Sequence, residues 1–463
     1  MPAQKYCVIG AGASGLAVAK NFKQRGIPFE CLEREADMGG VWNADTPSGV
    51  VYETTHMLSS KEHTPFEDFP MPDDYPMYPS HTLSLAYLRQ YAEHFGLLDS
   101  IAFGKTVERV TAGDDGWRVQ VAGETRERVY AGLVLANGHH DKPRRPSYEG
   151  AFAGDIIHSR DYRSPTQLQG KRVLVVGAGN SGADIATDAS HHAAAAYLSM
   201  RRGTYFISKY TLGLPTDDVV EYLERLPLPR WLKKRFYGLS NWILSGPPTR
   251  YGLPKPAHNI IDSHPTVNSE LPSQVAHGRV TVKPDIASFS GNQVQFVDGS
   301  TADVDLVVFA TGYQMSFPFI DNGLIIGSDG RPNLFLNVFH PERDDFFVAG
   351  LVQANGSMWR LADSQAQLIA AAIAAANSGS DTAHWFAELK RSGKGDRRTR
   401  EFVDSDRHIL ERDYYAYRRT LKRLTRKLGG TITTAASGSR DASDPEAPVA
   451  MDASPSQNRK RAA

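Results

Sequence analysis

Hydrophobic residues along the chain gather into short, nearly unbroken runs, and twice such a run leads into the same glycine spacing. The stretch "KYCVIGAGASGLAVAK" occupies residues 5–20, and "KRVLVVGAGNSGADIA" occupies residues 171–186. In each, an apolar run of strand length gives way to G-x-G-x-x-G and then to a segment of helix formers. Gly10, Gly12 and Gly15 carry the first copy, with Ala13 and Ser14 inside it; Gly177, Gly179 and Gly182 carry the second, with Asn180 and Ser181 inside it. The spacing predicts a strand, a tight turn that brings bare backbone against a pyrophosphate, and a helix whose free N–H groups face the negative charge. One such match is a weak signal. Two in the same context predict two dinucleotide sites on one chain.

The pattern around each copy also repeats. A second strand is predicted at "FECLE" (29–33) after the first copy and at "AYLSM" (196–200) after the second. The first copy continues into a Pro- and aromatic-rich insert at 45–82 and an amphipathic helix near "LSLAYLRQYAEHF"; the hairpin-like "RVTAGDDGWRVQVAG" and the apolar "GLVLANG" follow. The second half echoes this with "QVQFVDGSTADVDLVVFATGY", a hairpin-like stretch whose closing strand ends in Ala310, Thr311 and Gly312. We therefore expect an α/β fold of two Rossmann-like dinucleotide-binding domains, the second inserted into the first. The expected division is 1–160, first part of the outer domain; 161–312, the insert; and 313–428, the return to the outer domain. "LIAAAIAAA" at 368–376 reads as a buried helix, being far shorter than the ~20 residues that span a bilayer. The tail 429–463, rich in Ser, Ala, Pro and Asp, is expected to be disordered.

The two sites differ where the ribose would lie. An acidic side chain at the end of the second strand accepts ribose hydroxyls, and Glu33 holds that place in the first copy. The second copy reads "SMRRG" there, with Arg201 and Arg202 and no acid; guanidinium forks suit a 2′-phosphate that a carboxylate would repel. So the first site suits FAD or NAD and the second NADP. After Glu33, Gly39 and Gly40 let backbone pass close to a cofactor, followed by Val41 and the flat wall of Trp42.

Composition removes other partners. Of 463 residues, 52 are Lys or Arg and 52 are Asp or Glu, so no net field recruits nucleic acid or an anionic membrane, and small molecules are the expected partners. The two cysteines, Cys7 and Cys31, fall in predicted core strands with no C-x-x-C for dithiol chemistry, which fits a reducing cytosol. The first strand starts too near Met1 for a secretory leader, and no stable membrane insertion is expected. A cytoplasmic protein follows, with room in this reading for a homodimer.

Phe152, Gly154, His158 and Tyr162 in "FAGDIIHSRDY" fit F-x-G-x-x-x-H-x-x-x-Y, just ahead of the second glycine turn. This resembles the fingerprint of flavin-containing monooxygenases. "SSKEHTPFEDFPMPDDYP" and "VVFATGY" resemble two further family segments, and the likeness spans roughly residues 4–425. The resemblance implies an enzyme with FAD in the first site and NADPH in the second. NADPH reduces the flavin and stays as NADP while O₂ adds at the flavin C4a carbon, and the resulting hydroperoxide passes one oxygen to an amine nitrogen or sulfide sulfur. It also implies that Gly350 and Gln353, in "GLVQ", lie beside the flavin. For His158 two readings stand, an acid or base and a hinge histidine between domains; Thr311 is expected to shape a turn. The segment 227–245, with Trp231, Phe236, Trp242 and basic residues at helical spacing, is expected to pack on the second domain, the alternatives being a channel roof or a membrane contact.

One departure stands out. Where the family usually has an asparagine that bonds NADP and the oxygenated flavin, this chain has Leu58, beside Ser59 and Ser60. Either a neighbouring Ser or another loop residue takes its place, or the oxygenated intermediate is handled differently. The rival readings are a Baeyer-Villiger monooxygenase of ketones, whose fingerprint ends in Trp where this one has Tyr162, an NADPH oxidase that releases peroxide, and a flavin-binding sensor without turnover.

Overall fold

The structure, a computed structural model, describes residues 5–260, 262–396, 402 and 408–432. Of the tail expected to be disordered, 433–463 lies outside the described residues.

Two five-stranded parallel sheets organise the chain. The apolar runs form them because a strand buried on both faces needs continuous hydrophobic sequence, and Gly132–Leu135 and Leu306–Phe309 are buried at every position. In the first sheet, Tyr6–Ile9 lies at the centre between Phe29–Leu32 and Gly132–Leu135. Ile101–Ala102 and Phe346–Val348 form its edges. In the second, Arg172–Val176 is central between Ala195–Ser199 and Leu306–Phe309, with Val280–Lys283 and Asp155–His158 at the edges. The first sheet thus takes strands from both sides of the second, which is the expected insertion. Strands Glu149–Phe152 and Asp155–His158, which the sequence reading left in the outer domain, pair instead with strands of the insert, at Ser288–Gly291 and Leu306–Phe309.

Antiparallel ribbons stand where alternation predicted them: Val107–Gly113 with Gly116–Val121, and Gln293–Phe296 with Thr301–Asp303. The outer domain's core is a helical layer. Ala13–Gln24 packs on Met358–Asn377, the buried helix that contains the Ala-rich run, and Tyr414–Lys427 packs on it in turn. Ions are buried in this layer as a network. Lys20 Nζ lies 2.9 Å from Asp363 Oδ1, whose carboxylate also accepts from Asn21 and Gln367, each at 2.7 Å. Lys20 further reaches Asp68, and Arg418 pairs with Glu67, so the acidic pair of "PFEDFP" fastens its loop to two helices.

Candidate functional site

The two glycine turns are near copies in three dimensions. Gly10 has φ +103° and Gly177 φ +106°, a backbone that only glycine adopts without strain. A Cβ on Gly15 would stand 1.8 Å from the Gly10 carbonyl oxygen, and one on Gly182 would stand 2.0 Å from that of Gly177. Nothing larger than hydrogen fits at either crossing. Both following helices, Ala13–Gln24 and Asn180–His192, start from a glycine with no capping side chain, so their first-turn N–H groups remain for an outside acceptor.

Both turns open onto one continuous cleft of about 2390 Å³, well above the ~300–1,000 Å³ of a single-ligand pocket. Of the candidate residues, all but Gly15, Gly182 and His158 line it. Gly15 and Gly182 are buried at the turn crossings beneath it. Glu33 is buried at the end of strand Phe29–Leu32; it accepts from Ala11 N–H at 2.6 Å and Glu35 N–H at 2.9 Å. Burial lifts its carboxyl above the usual value against the pull of those two donors. Arg201 and Arg202 are exposed at the second strand's end, and neither makes an ion pair with a described residue. Gly40, Val41 and Trp42 form a short helical turn that passes close to Gly12, where a Cβ on Gly40 would be 3.2 Å from the Gly12 Cα. Trp42 stands edge-on to Trp359 at 5.8 Å, and Trp359 is stacked on Tyr87 at 5.3 Å, which fixes the wall.

His158 is not an acid or base. Its ring is fully buried outside the cleft; Nδ1 accepts from Arg160 N–H at 3.1 Å, and Nε2 donates to the Gly312 carbonyl at 3.1 Å. Both nitrogens are committed to backbone, and burial pushes the pKa down, so a neutral imidazole pins the segment after Leu306–Phe309. The other fingerprint residues are structural as well. Phe152 packs on Phe289 at 5.2 Å, Gly154 leans on the Asp305 carbonyl, and Tyr162 donates to Asp188 at 2.9 Å. Thr311 shapes its turn by donating to the Arg144 carbonyl.

Asn180 accepts from Val267 N–H at 2.9 Å. Gly350, at φ +81°, passes so close to Ser14 that a Cβ would lie 2.2 Å from its Oγ, and Gln353 pairs through backbone with Leu410. Leu58 turns an apolar side chain to the cleft, 36% exposed. Of the neighbouring serines, Ser60 is fully buried, while Ser59 lines the cleft and pairs its Oγ with Thr64 Oγ1 at 2.6 Å.

A roof covers this loop, built in part from the segment 227–245 for which the sequence offered a channel roof only as an alternative. Phe206 and Leu253 pack in the inserted unit's core, and the segment between them reaches the outer domain, Lys209 at Met57 and Arg230 at Asp413. Helix Thr216–Arg225 presents Asp218 and Glu221 to His63, at 2.7 and 2.9 Å, while Asp217 accepts from Ser60 N–H at 2.6 Å. Burial lowers the His63 pKa, but Glu221, Asp217 and Asp218 outweigh it and the net shift is upward. Helix Arg230–Ser245 does not pack down onto the second domain as expected: none of its residues is buried, and Arg230, Lys233, Tyr237, Ser240, Asn241 and Leu244, one helical face, line the cleft. Among the described residues, no helix is long and apolar enough to cross a membrane.

Two dinucleotide cradles facing one cleft define a flavoprotein oxidoreductase that handles two nucleotide cofactors. The family model for flavin-binding monooxygenase-like proteins matches residues 3–429, and the chain belongs to that family. It is a flavin monooxygenase whose cofactors are FAD and NADPH. It is 32% identical over 442 residues to flavin-containing monooxygenase 5 of Rattus norvegicus, covering 89% of this chain and 81% of that one. To the N-oxide-forming dimethylaniline monooxygenase 2 of Rattus norvegicus it is 35% identical over 391 residues, 79% of this chain and 72% of that one. The solved structure of S-allyl-L-cysteine S-oxygenase from Allium sativum shares the fold with a TM-score of 0.64 at 20% identity, over 93% and 89% of the two chains. The open form of cyclohexanone monooxygenase gives 0.65 at 17%, over 93% and 97%.

Proposed function

We propose that FAD lies on the cradle of Gly10, Gly12 and Gly15, that NADPH lies on that of Gly177, Gly179 and Gly182, and that the enzyme transfers one oxygen of O₂ to an amine nitrogen or sulfide sulfur of a small molecule. The observation that carries this reading is the contrast between two otherwise matching cradles: one ends in buried Glu33, the other in exposed Arg201 and Arg202. The residues fit both groups. Each turn has a space that a Cβ would close, and each helix start has uncapped N–H groups for a pyrophosphate.

Reduced by NADPH, the flavin supplies O₂ activation. The chain's own residues do the rest. Ala13 and Ser14, in the first helical turn, receive phosphate with backbone N–H groups, as Asn180 and Ser181 do in the second. Glu33 accepts ribose hydroxyls, and Arg201 and Arg202 take the 2′-phosphate. Trp42, braced by Trp359, together with Val41 and Leu58, walls off water, and the roof helix closes the far side. Gln353 and Ala310–Gly312 border the cleft where the two units meet, and offer backbone and amide groups to the cofactors. We place the inserted unit's start near residue 149, on the strand pairing of Glu149–Phe152. We read the protein as one of the reducing cytosol, supported by two buried cysteines outside any disulfide.

The test is to purify the protein, release and identify the flavin, and follow NADPH oxidation against tertiary amines, thioethers and ketones. Oxygenated product matching NADPH consumed with amines or thioethers supports the reading; FMN, or product from ketones only, overturns it. An NADPH oxidase is the second reading, favoured by the apolar Leu58 in the cleft, and it predicts peroxide with no oxygenated product from any of the three.

A further inference from the structure

Lys209 stands out among the lysines of the cleft. Its Nζ donates to the Met57 carbonyl at 2.9 Å and lies 4.8 Å from the centre of the Tyr78 ring. The residue is half-buried and lines the cleft, yet no carboxylate of a described residue comes within ion-pair distance of it. The more deeply buried lysines are compensated, Lys20 by Asp363, Lys390 by Asp344 and Lys422 by Glu67. An ammonium has three donors, and the chain takes one of them in a hydrogen bond. Desolvating a cation without a counter-ion is costly, so a group held this way at a cleft wall is built for an acceptor that the chain does not contain. Burial depresses its pKa, which the charge of Asp184 only partly offsets.

Its place selects the acceptor. Lys209 leaves the second sheet on the same segment as Arg201 and Arg202, and Asp184 sits on the helix that opens at the second cradle. Its anchor, Met57, belongs to the outer domain and precedes Leu58. A coenzyme bound by its 2′-phosphate at Arg201 and Arg202, and by its pyrophosphate at Gly177–Gly182, must run toward the outer domain to bring its reactive end to the flavin. Lys209 stands on that side, at the contact of the two units.

Resting on the cofactor placement above, we propose that Lys209 is a positioning residue for the nicotinamide end of NADP, its ammonium donating to the carboxamide oxygen while its bond to Met57 holds the Leu58 loop against the same coenzyme. With only an aliphatic side chain at position 58, that donor supplies polar fixation at this end of the coenzyme.

The experiment compares wild type, Lys209→Met and Lys209→Arg as FAD holoenzymes, titrated with NADP and with 2′,5′-ADP, a fragment that lacks the nicotinamide, while flavin absorbance and displacement are followed. Lys209→Met should weaken NADP about tenfold, as loss of one charge-assisted hydrogen bond implies, leave 2′,5′-ADP within about twofold, and raise peroxide released per NADPH. Lys209→Arg should recover most of the affinity, and Leu58→Asn in the Lys209→Met background should recover part of it by returning a polar group to the adjacent wall. Equal weakening of NADP and 2′,5′-ADP would overturn the proposal, because a damaged fold or a role at the adenosine end acts on both. Unchanged NADP affinity would overturn it too, including the outcome in which only the KM of a carboxylate-bearing substrate rises. If wild type binds neither nucleotide, the cofactor placement itself fails, and that result is distinct from the others.

Discussion

Replacing Arg201 and Arg202 together by Ala tests the assignment of the two cradles at its most exposed point. Both side chains line the cleft at the end of Ala195–Ser199 and form no ion pair with a described residue, so their removal frees no buried charge and should leave the fold intact. A hydrogen bond to a charged group contributes about 1.5 to 3 kcal/mol. Solvent screens exposed guanidinium groups, so the low end applies to each. The two then sum to about 3 kcal/mol, or roughly 150-fold. The KM for NADPH should rise by about that factor in the double variant and roughly tenfold in each single one, while the KM for NADH, which has no 2′-phosphate, moves by less than about threefold. Initial rates of NADPH and NADH oxidation at fixed O₂ and substrate measure this. Because the charges are exposed, the wild-type preference for NADPH should also shrink as salt rises and the Debye length falls below about 10 Å. A matched loss for both coenzymes would refute the reasoning, since it would show that these arginines do not read the phosphate.

Gly182→Ala places a Cβ 2.0 Å from the Gly177 carbonyl oxygen, and Gly15→Ala places one 1.8 Å from that of Gly10. The first variant should remain yellow yet fail to bleach with NADPH, and the second should purify without flavin; the reverse pattern would exchange the two sites. Asp363→Ala removes the shared acceptor of Lys20, Asn21 and Gln367 and leaves the buried Lys20 ammonium with Asp68 as its one remaining carboxylate; the cost should be about 3–5 kcal/mol, read as a fall in denaturation midpoint, and a change under 1 kcal/mol would contradict it. His63 is held protonated by Glu221, Asp217 and Asp218, so the clasp between its loop and the roof should be whole below the unfolded pKa of about 6.5 and weaken as pH rises through the higher folded value. Hydrogen exchange in Thr216–Arg225 should therefore quicken with pH, beyond the intrinsic base catalysis of exchange, more in wild type than in His63→Gln, and equal acceleration in both would show that another contact holds the roof.

The parts that were legible in the sequence are those whose physics is local. A strand, a glycine crossing and an uncapped helix lie within about twenty residues, so Gly10–Gly15 and Gly177–Gly182 announce themselves, as does the acid or base that closes the next strand. His158 is legible only in part: its residue type suggests an acid or base and its place at the crossover suggests a hinge histidine, while the partner that decides between them, Gly312, lies far along the chain where no local pattern points. The boundary near residue 160 failed for a related reason: Asp155–His158 pairs with Leu306–Phe309, and which sheet an edge strand joins is decided by a partner formed much later in the chain. The roof was the least readable part. Lys209 and Asp217 lie in no motif, and the helix at 230–245 shows basic and aromatic residues whose two faces are told apart only by the cleft beneath.

Insertion of one unit into the other explains why the cradles meet. In an open parallel sheet the ligand sits at the carboxyl ends of the strands. The chain leaves the outer sheet at the carboxyl end of Gly132–Leu135 and leaves the inserted sheet at the carboxyl end of Leu306–Phe309, so both connections start on ligand-binding edges. The two connections are also tied to each other. Lys142–Pro143 pairs antiparallel with Tyr313–Gln314, Arg144 N–H donates to Gly312 at 2.9 Å, and His158 holds the same Gly312 from the other side. A tandem arrangement would join the units by one strand and leave the edges free to face apart. Two paired connections, both on ligand-binding edges, instead hold the carboxyl ends toward one cleft. The fingerprint residues Gly154, His158 and Tyr162 belong to this packing, Gly154 against the Asp305 carbonyl, His158 on Gly312 and Tyr162 on Asp188, so their contacts help to fix the inserted unit where the two connections leave it.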